Sequence, residues 1–174
     1  MDLFDREEIQ RLLELLADRL ASAGISGTIS LVGGAALSLQ YLTDRDATTD
    51  IDAILPQDEI VGTIIQQIAL EEDLVPTWVN DAVKAYVPFE TNEMWIELFT
   101  VGAITIRIAS AELLLAMKLK ADRGMRDRGD IEGLIKLLEV KEVHKIEEIY
   151  ERFHHQEVLS ERTLAVVKQI LTNS

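Results

Sequence analysis

The chain has 174 residues, 48% of them hydrophobic and 28% charged; this suffices for one packed domain, or one with a small appendage, and excludes wholesale disorder. Acidic side chains outnumber basic ones 31 to 17, and the resulting net charge of −14 argues against broad binding to duplex DNA. With no cysteine there is no disulfide framework, thiol nucleophile or Cys-ligated zinc. No run reaches the roughly 18 apolar residues of a membrane span, and Met1-Asp2-Leu3-Phe4-Asp5 lacks the features of a signal peptide. A cytoplasmic protein with no membrane partner is the expectation.

Asp5, with Glu8 three residues on, predicts a capped helix start. Ile9, Leu12, Leu13, Leu16 and Leu20 follow as one apolar stripe, and Gly24 and Gly27 end it. Thr28–Val32 reads as a strand, broken by Gly33-Gly34 and followed by a short helix, 35–42. Thr43–Thr49 is polar loop. Asp50–Leu55 reads as a second strand, closed by Pro56, and Gln57–Asp73 as a helix. Residues 74–90 fit short strands or a loop. Met94–Val101 and Ile104–Ile108 read as strands, with Asn92 and Gly102 at the turns flanking the first. From Ser110 the pattern is helical: Ser110 to about Arg123 with Gly124 at its end, Asp127 to about Val140, then 142–155 and 160–172. The order predicts an α+β fold, a mixed β-sheet flanked by helices with a helical C-terminal third. Its expected organisation is a core over 1–110 and a helical extension over 111–174 packed on it.

Three features point to chemistry. Gly33-Gly34 stands between a strand and a helix, where glycine lets backbone approach a phosphate closely. Asp50 and Asp52 alternate with Ile51, so the two carboxylates project from one face of a strand. Their Cα atoms are roughly 6.5–7 Å apart. Two like charges there repel, a cost that a divalent cation removes. Glu97 is the lone acid within Trp95-Ile96-Glu97-Leu98-Phe99 and is expected to face an apolar neighbourhood or a lined pocket. The three histidines, His144, His154 and His155, read as solvated helix residues, and Trp78 and Trp95 as core or pocket wall. Lys118 reads equally as a solvated helix side chain or a functional cation, and Asp127 as an N-cap with Asp130 at the third helical position. Arg123, Arg126 and Arg128 form a basic cluster that suits nearby acids or phosphate.

Together these residues resemble the nucleotidyltransferase superfamily, the fold of DNA polymerase beta and the aminoglycoside nucleotidyltransferases. Leu-Val-Gly33-Gly34-Ala-Ala-Leu is followed, after fifteen residues, by Thr-Thr-Asp50-Ile-Asp52. A second stretch, Ser110-Ala-Glu-Leu-Leu-Leu-Ala-Met-Lys118-Leu-Lys120-Ala-Asp-Arg and then Arg126-Asp127-Arg-Gly-Asp130-Ile-Glu, is similar to a bacterial branch that includes AbiEii-type toxins of type IV toxin–antitoxin pairs. Trp78-Val-Asn80-Asp81 is similar to the same branch. The likeness spans roughly residues 28–138.

The resemblance implies a catalytic and metal site of Asp50, Asp52 and Glu97, holding two magnesium ions or manganese in their place. Gly33 and Gly34 would cradle the phosphates of a nucleoside triphosphate, Lys118 would contact phosphate, and Asp130, with Asp127 less directly, would orient the site. The implied activity moves a nucleoside monophosphate to a hydroxyl of protein, RNA or a small molecule, with an antitoxin protein as a further partner. Two departures stand out: Gly34 occupies a position where AbiEii-type toxins carry Ser, and the third acid is Glu instead of Asp. The alternative is a non-catalytic nucleotide-binding or protein-interaction module that kept the fold.

Overall fold

A computed structural model describes residues 3–45, 47–85, 87, 94–121, 123 and 126–173. They fall into two compact units, one formed by 3–85 and 94–109 and the other by 87 and 110–173. The architecture is α+β, with a mixed sheet in the first unit and helices throughout the second from Ala111 on. None of the described helices is long and apolar enough to cross a membrane.

In the first unit, α1 (Arg6–Ser22) begins where its sequence predicts: Asp5 Oδ1 accepts the Glu8 backbone N–H at 2.9 Å. The Glu8 side chain does not close a capping box. It accepts two hydrogen bonds from Arg11, which hold its carboxyl below the usual range. The stripe Ile9, Leu12, Leu13, Leu16 and Leu20 is fully buried.

The sheet contains β1 (Gly27–Leu31), β2 (Ile51–Ile54), β3 (Val79–Asn80), β4 (Trp95–Val101) and β5 (Ile104–Ala109), in spatial order β3-β2-β1-β5-β4. β1 is antiparallel to β2 and parallel to β5. One face is strongly apolar: Ile29, Leu31, Ile51, Ala53, Ile106 and Ile108 are fully buried. α1 lies against β5 and β4 and also packs against α3 (Val61–Glu71). Trp78 is buried, and its indole N–H donates to the Ile65 carbonyl at 3.2 Å, tying the approach to β3 to α3.

After β1 the chain enters α2 (Gly33–Ala36) and widens into a π-helical turn over Leu37–Tyr41, with Leu42 N–H bonded to Leu37 O at 2.8 Å. Gly33-Gly34 thus forms the first residues of the helix instead of a loop before it. Residues 74–85, ambiguous in sequence, supply the two-residue β3 and a 3₁₀ turn, Ala82–Ala85. Asn92 and Gly124, expected at a turn and a helix end, lie outside the described residues.

The second unit contains α4 (Ala111–Ala121), α5 (Arg128–Leu137), α6 (Val143–Phe153) and α7 (Glu161–Asn173). Ser110 caps α4 by accepting the Leu113 N–H at 3.2 Å, and Ser160 caps α7 by accepting the Thr163 N–H at 3.0 Å. In α4 the successive residues Leu113, Leu114, Leu115 and Ala116 are all buried, so this helix is enclosed on several sides. α5 and α6 both pack against it.

His154 corrects the reading of three solvated histidines. It is only 7% exposed, its ring lies 4.8 Å from that of Tyr150, and it hydrogen-bonds to the backbone of Ala116. Burial, reinforced by the nearby Lys120 charge, pushes its pKa below the ordinary value of 6.5; Glu157 pulls weakly the other way. The depressed pKa means the unfolded chain takes up the proton more readily. This stability is complete above the unfolded pKa and is lost as the pH falls from about 6.5 toward the lower folded value. The thermal midpoint of the wild type is therefore expected to decline below about pH 6.5, ahead of carboxylate titration. His154→Phe should remove that decline; an unchanged pH profile in the variant would contradict it.

Candidate functional site

The site is assembled by β1, β2 and β3, all in the first unit. β2 keeps the alternation its sequence predicts: Ile51 and Ala53 are buried on the core face, while Asp52 is half-buried. Asp50 stands one residue before the strand and is also half-buried. Asp50 precedes the strand in a bend, so strand alternation sets the face of Asp52 alone, and the Asp50 carboxylate is placed by its own hydrogen bonds.

Asp52 is seated against the glycine turn. Gly33 has φ +65°, and a Cβ added there would lie 2.5 Å from Asp52 Oδ2 and 3.3 Å from its carboxyl carbon. Glycine is therefore required twice over at Gly33, by conformation and by space. The Val32 N–H donates to the Asp52 carbonyl at 3.0 Å, which clamps β2 to the strand leaving β1. Asp50 is held by two side-chain donors, Thr49 Oγ1 at 3.4 Å and Asn80 Nδ2 at 3.4 Å. Asn80 lies opposite Asp52 in the parallel β2–β3 pairing. Its Oδ1 accepts the Ala82 N–H at 3.2 Å, which turns the amide nitrogen toward Asp50.

A Cβ at Gly34 would lie 3.0 Å from Thr48 Oγ1 and 3.1 and 3.2 Å from the terminal nitrogens of Arg45. Arg45 and Thr48 come from a stretch that reads only as polar loop. Asn80 belongs to the stretch that carries the family likeness. The available signals were modest: a cation five residues before Asp50, and a polar residue ending a very short strand.

Glu97 does not join Asp50 and Asp52. It is on β4, and β1 and β5 lie between β4 and β2. At roughly 4.8 Å per strand, that is about 14 Å from β2. Along the strands it is also out of row: Glu97 pairs with Arg107, Arg107 with Ser30, and Ser30 with Ile54, two residues beyond Asp52. Nor does Glu97 face a lined pocket; it is exposed beside a β-bulge that separates it from Phe99. Arg107 turns elsewhere. Its Nε donates to Ser30 Oγ at 2.7 Å, and its guanidinium lies 4.7 Å from the Trp95 ring centroid.

Lys118 and Asp130 meet each other within the second unit. Lys118 Nζ is 2.7 Å from Asp127 Oδ1 and 2.8 Å from Asp130 Oδ2, with only 13% of its side chain exposed. A lysine held by two carboxylates and this little exposed is not a solvated side chain, which corrects that reading of Lys118. Asp127 occupies the N-cap position of α5, but its side chain caps nothing; it receives Lys118, and its Oδ2 is buried without a hydrogen-bond partner.

Asp50 and Asp52 are hard oxygen donors of the kind magnesium takes, and magnesium commonly binds one or two carboxylates with substrate phosphates completing its shell. The pair fits that requirement. Among the described residues no group of three His, Cys, Asp or Glu side chains is arranged to hold a metal by itself. The space that a Cβ would take at each glycine beside the pair is occupied by the chain's own atoms, Asp52 at Gly33 and Thr48 and Arg45 at Gly34.

Residues 7–169 match the model of a family described as nucleotidyltransferases of unknown function (DUF6036), and the chain belongs to that family. No curated protein and no solved structure matches it significantly.

The seating of Asp52 has a direct test. Gly24 also has a left-handed φ, +81°, but nothing lies within 4 Å of an added Cβ there. Gly24→Ala should cost only the conformational penalty, about 1–2 kcal/mol. Gly33→Ala should cost at least about 1 kcal/mol more, because the Asp52 carboxylate must move. Urea unfolding of both variants measures the difference; equal costs would contradict this geometry.

Proposed function

We propose that this chain is a magnesium-dependent nucleotidyltransferase that uses Asp50 and Asp52 to position a nucleoside triphosphate for attack by a hydroxyl. The observation that carries the reading is Asp52 packed against Gly33, with Asp50 two residues away, in a chain whose family is described as nucleotidyltransferases. Magnesium, or manganese in its place, would supply charge neutralisation at the triphosphate and polarisation of its phosphorus–oxygen bonds. Asp50 and Asp52 would hold that cation, and Asn80 and Thr49 would fix the Asp50 carboxylate. The acceptor oxygen bonds to the α-phosphorus, the bond to the bridging oxygen toward the β-phosphorus breaks, pyrophosphate leaves, and the hydroxyl proton passes to solvent. The protein's work in such a transfer is positioning and electrostatics.

That no third acid joins the pair among the described residues favours a second reading, a module that binds the nucleotide without transferring it. Incubation with radiolabelled triphosphates and candidate hydroxyl acceptors separates the two. On the transferase reading, label transfer appears with magnesium, falls at least about 100-fold in Asp50→Asn and Asp52→Asn, and changes less than about threefold in Glu97→Gln. Metal-dependent binding without transfer across protein, RNA and small-molecule acceptors would support the binding module. Transfer that survives both Asp substitutions would overturn the site.

The toxin role, with an antitoxin partner, rests on the resemblance of the 110–132 stretch. Induced expression in a bacterial host should arrest growth, and Asp52→Asn should relieve the arrest. Unimpaired growth with the wild-type chain would count against it.

A further inference from the structure

Glu97 has no part in the carboxylate pair, and the strand that carries it is the one in this sheet most in need of protection. β4 stands at the end of the order β3-β2-β1-β5-β4. Among the described residues it pairs only with β5, so its outer backbone groups face away from the sheet. The opposite edge, β3, is two residues long and offers little to pair with. β4 runs for seven residues and reads Trp-Ile-Glu-Leu-Phe-Thr-Val. Six of them are aromatic, β-branched or leucine, none is proline or glycine, and Glu97 is the one charge. Segments of that length and composition, presented on a sheet edge, pair with copies of themselves.

The strand is open to solvent along its length. Ile96 is 43% exposed, Glu97 and Thr100 are exposed, and Leu98, Phe99 and Val101 are half-buried. A cleft of about 670 Å³ borders Leu98–Val101 beside α1, so this half of the strand is reachable from outside. Two features oppose a second strand there. Glu97 pairs with Arg107 and Phe99 with Ile106, so Leu98 is an extra residue with no partner on β5. Such a bulge bends the strand and breaks the regular spacing of N–H and C=O groups that an incoming strand must match. The second feature is the charge beside the break. The Arg107 guanidinium, across from Glu97, lies over the Trp95 ring and donates to Ser30 Oγ, while the Glu97 carboxylate stays in water. A second β4 laid along the first would bring two Glu97 carboxylates into one strand pair and strip water from both.

We propose that the β4 edge is a self-pairing surface, that the partner it fits is β4 of a second copy of this chain, and that Glu97 beside the Leu98 bulge keeps the surface closed. The proposal is independent of the nucleotidyltransferase reading. The apolar strand around Glu97 is the reason its charge is needed.

The test is the mass of the chain in solution against concentration, by light scattering after size exclusion, with hydrogen exchange of the β4 amides and thermal melts to establish folding. Glu97→Thr removes the charge and adds no large apolar group. Glu97→Lys puts back a charge of the opposite sign. Glu132→Thr makes the same charge change at an exposed residue of α5. The wild type, Glu97→Lys and Glu132→Thr should stay monomeric, whereas Glu97→Thr should associate at least about tenfold more tightly and protect its β4 amides as it does. If Glu97→Thr does not fold, Glu97→Gln carries the test with the same expectation. A neutral variant as monomeric as the wild type overturns the proposal. So does association of Glu97→Lys or Glu132→Thr to the same extent, association that leaves the β4 amides unprotected, or a wild type that already associates through β4.

Discussion

The first unit's candidate chemistry depends on one close approach: the Asp52 carboxylate lies where any side chain at Gly33 would have to be. Two acids two residues apart repel each other, so β2 carries an electrostatic cost that the apolar contacts of Ile51 and Ala53 on its opposite face must offset. The left-handed φ of Gly33 turns the chain just after β1, and the Val32–Asp52 backbone bond holds the two strands together at that point. Asn80 then fixes Asp50 from the other side. A glycine turn, a strand with alternating faces and an amide on the neighbouring strand thus act together on one pair of carboxylates.

Much of this is written locally. Asp5 and the leucine stripe of α1 state a helix and its buried side, and the structure has both. Ile51-Asp52-Ala53 states a strand with Asp52 on the face opposite Ile51 and Ala53, because side-chain alternation is a property of the extended chain itself, whereas Asp50, expected to open that strand, lies in the bend before it. Ser110 and Ser160 state helix starts for the same kind of reason, since a hydroxyl beside free backbone N–H groups has few better partners.

What local pattern does not state is which strands become neighbours. β5 pairs with β1 in parallel and displaces β4 to the edge of the sheet, and this alone removes Glu97 from the carboxylate pair. Glu97 did sit in an apolar strand, yet the apolar partner of consequence was Trp95, buried under the Arg107 guanidinium, while the acid itself remained exposed. His154 shows the same limit: its place at the end of α6 does not reveal that Ala116 and Lys120 of α4 are brought against it. Arg45 and Thr48 were hidden for another reason. They lie in an aperiodic loop, and their closeness to Gly34 appears only in the folded chain. Lys118 reads from sequence as a solvated or functional cation, and its two carboxylate partners are identifiable only from their distances.

The central claim is that Asp50 and Asp52, without Glu97, form the cation-binding pair. Electron paramagnetic resonance of manganese titrated into the protein with a non-hydrolysable triphosphate tests it most directly. Bound manganese should appear only when nucleotide is present, disappear in Asp52→Asn, and persist in Glu97→Gln. Manganese bound equally well by Asp52→Asn, or lost in Glu97→Gln, would contradict the account.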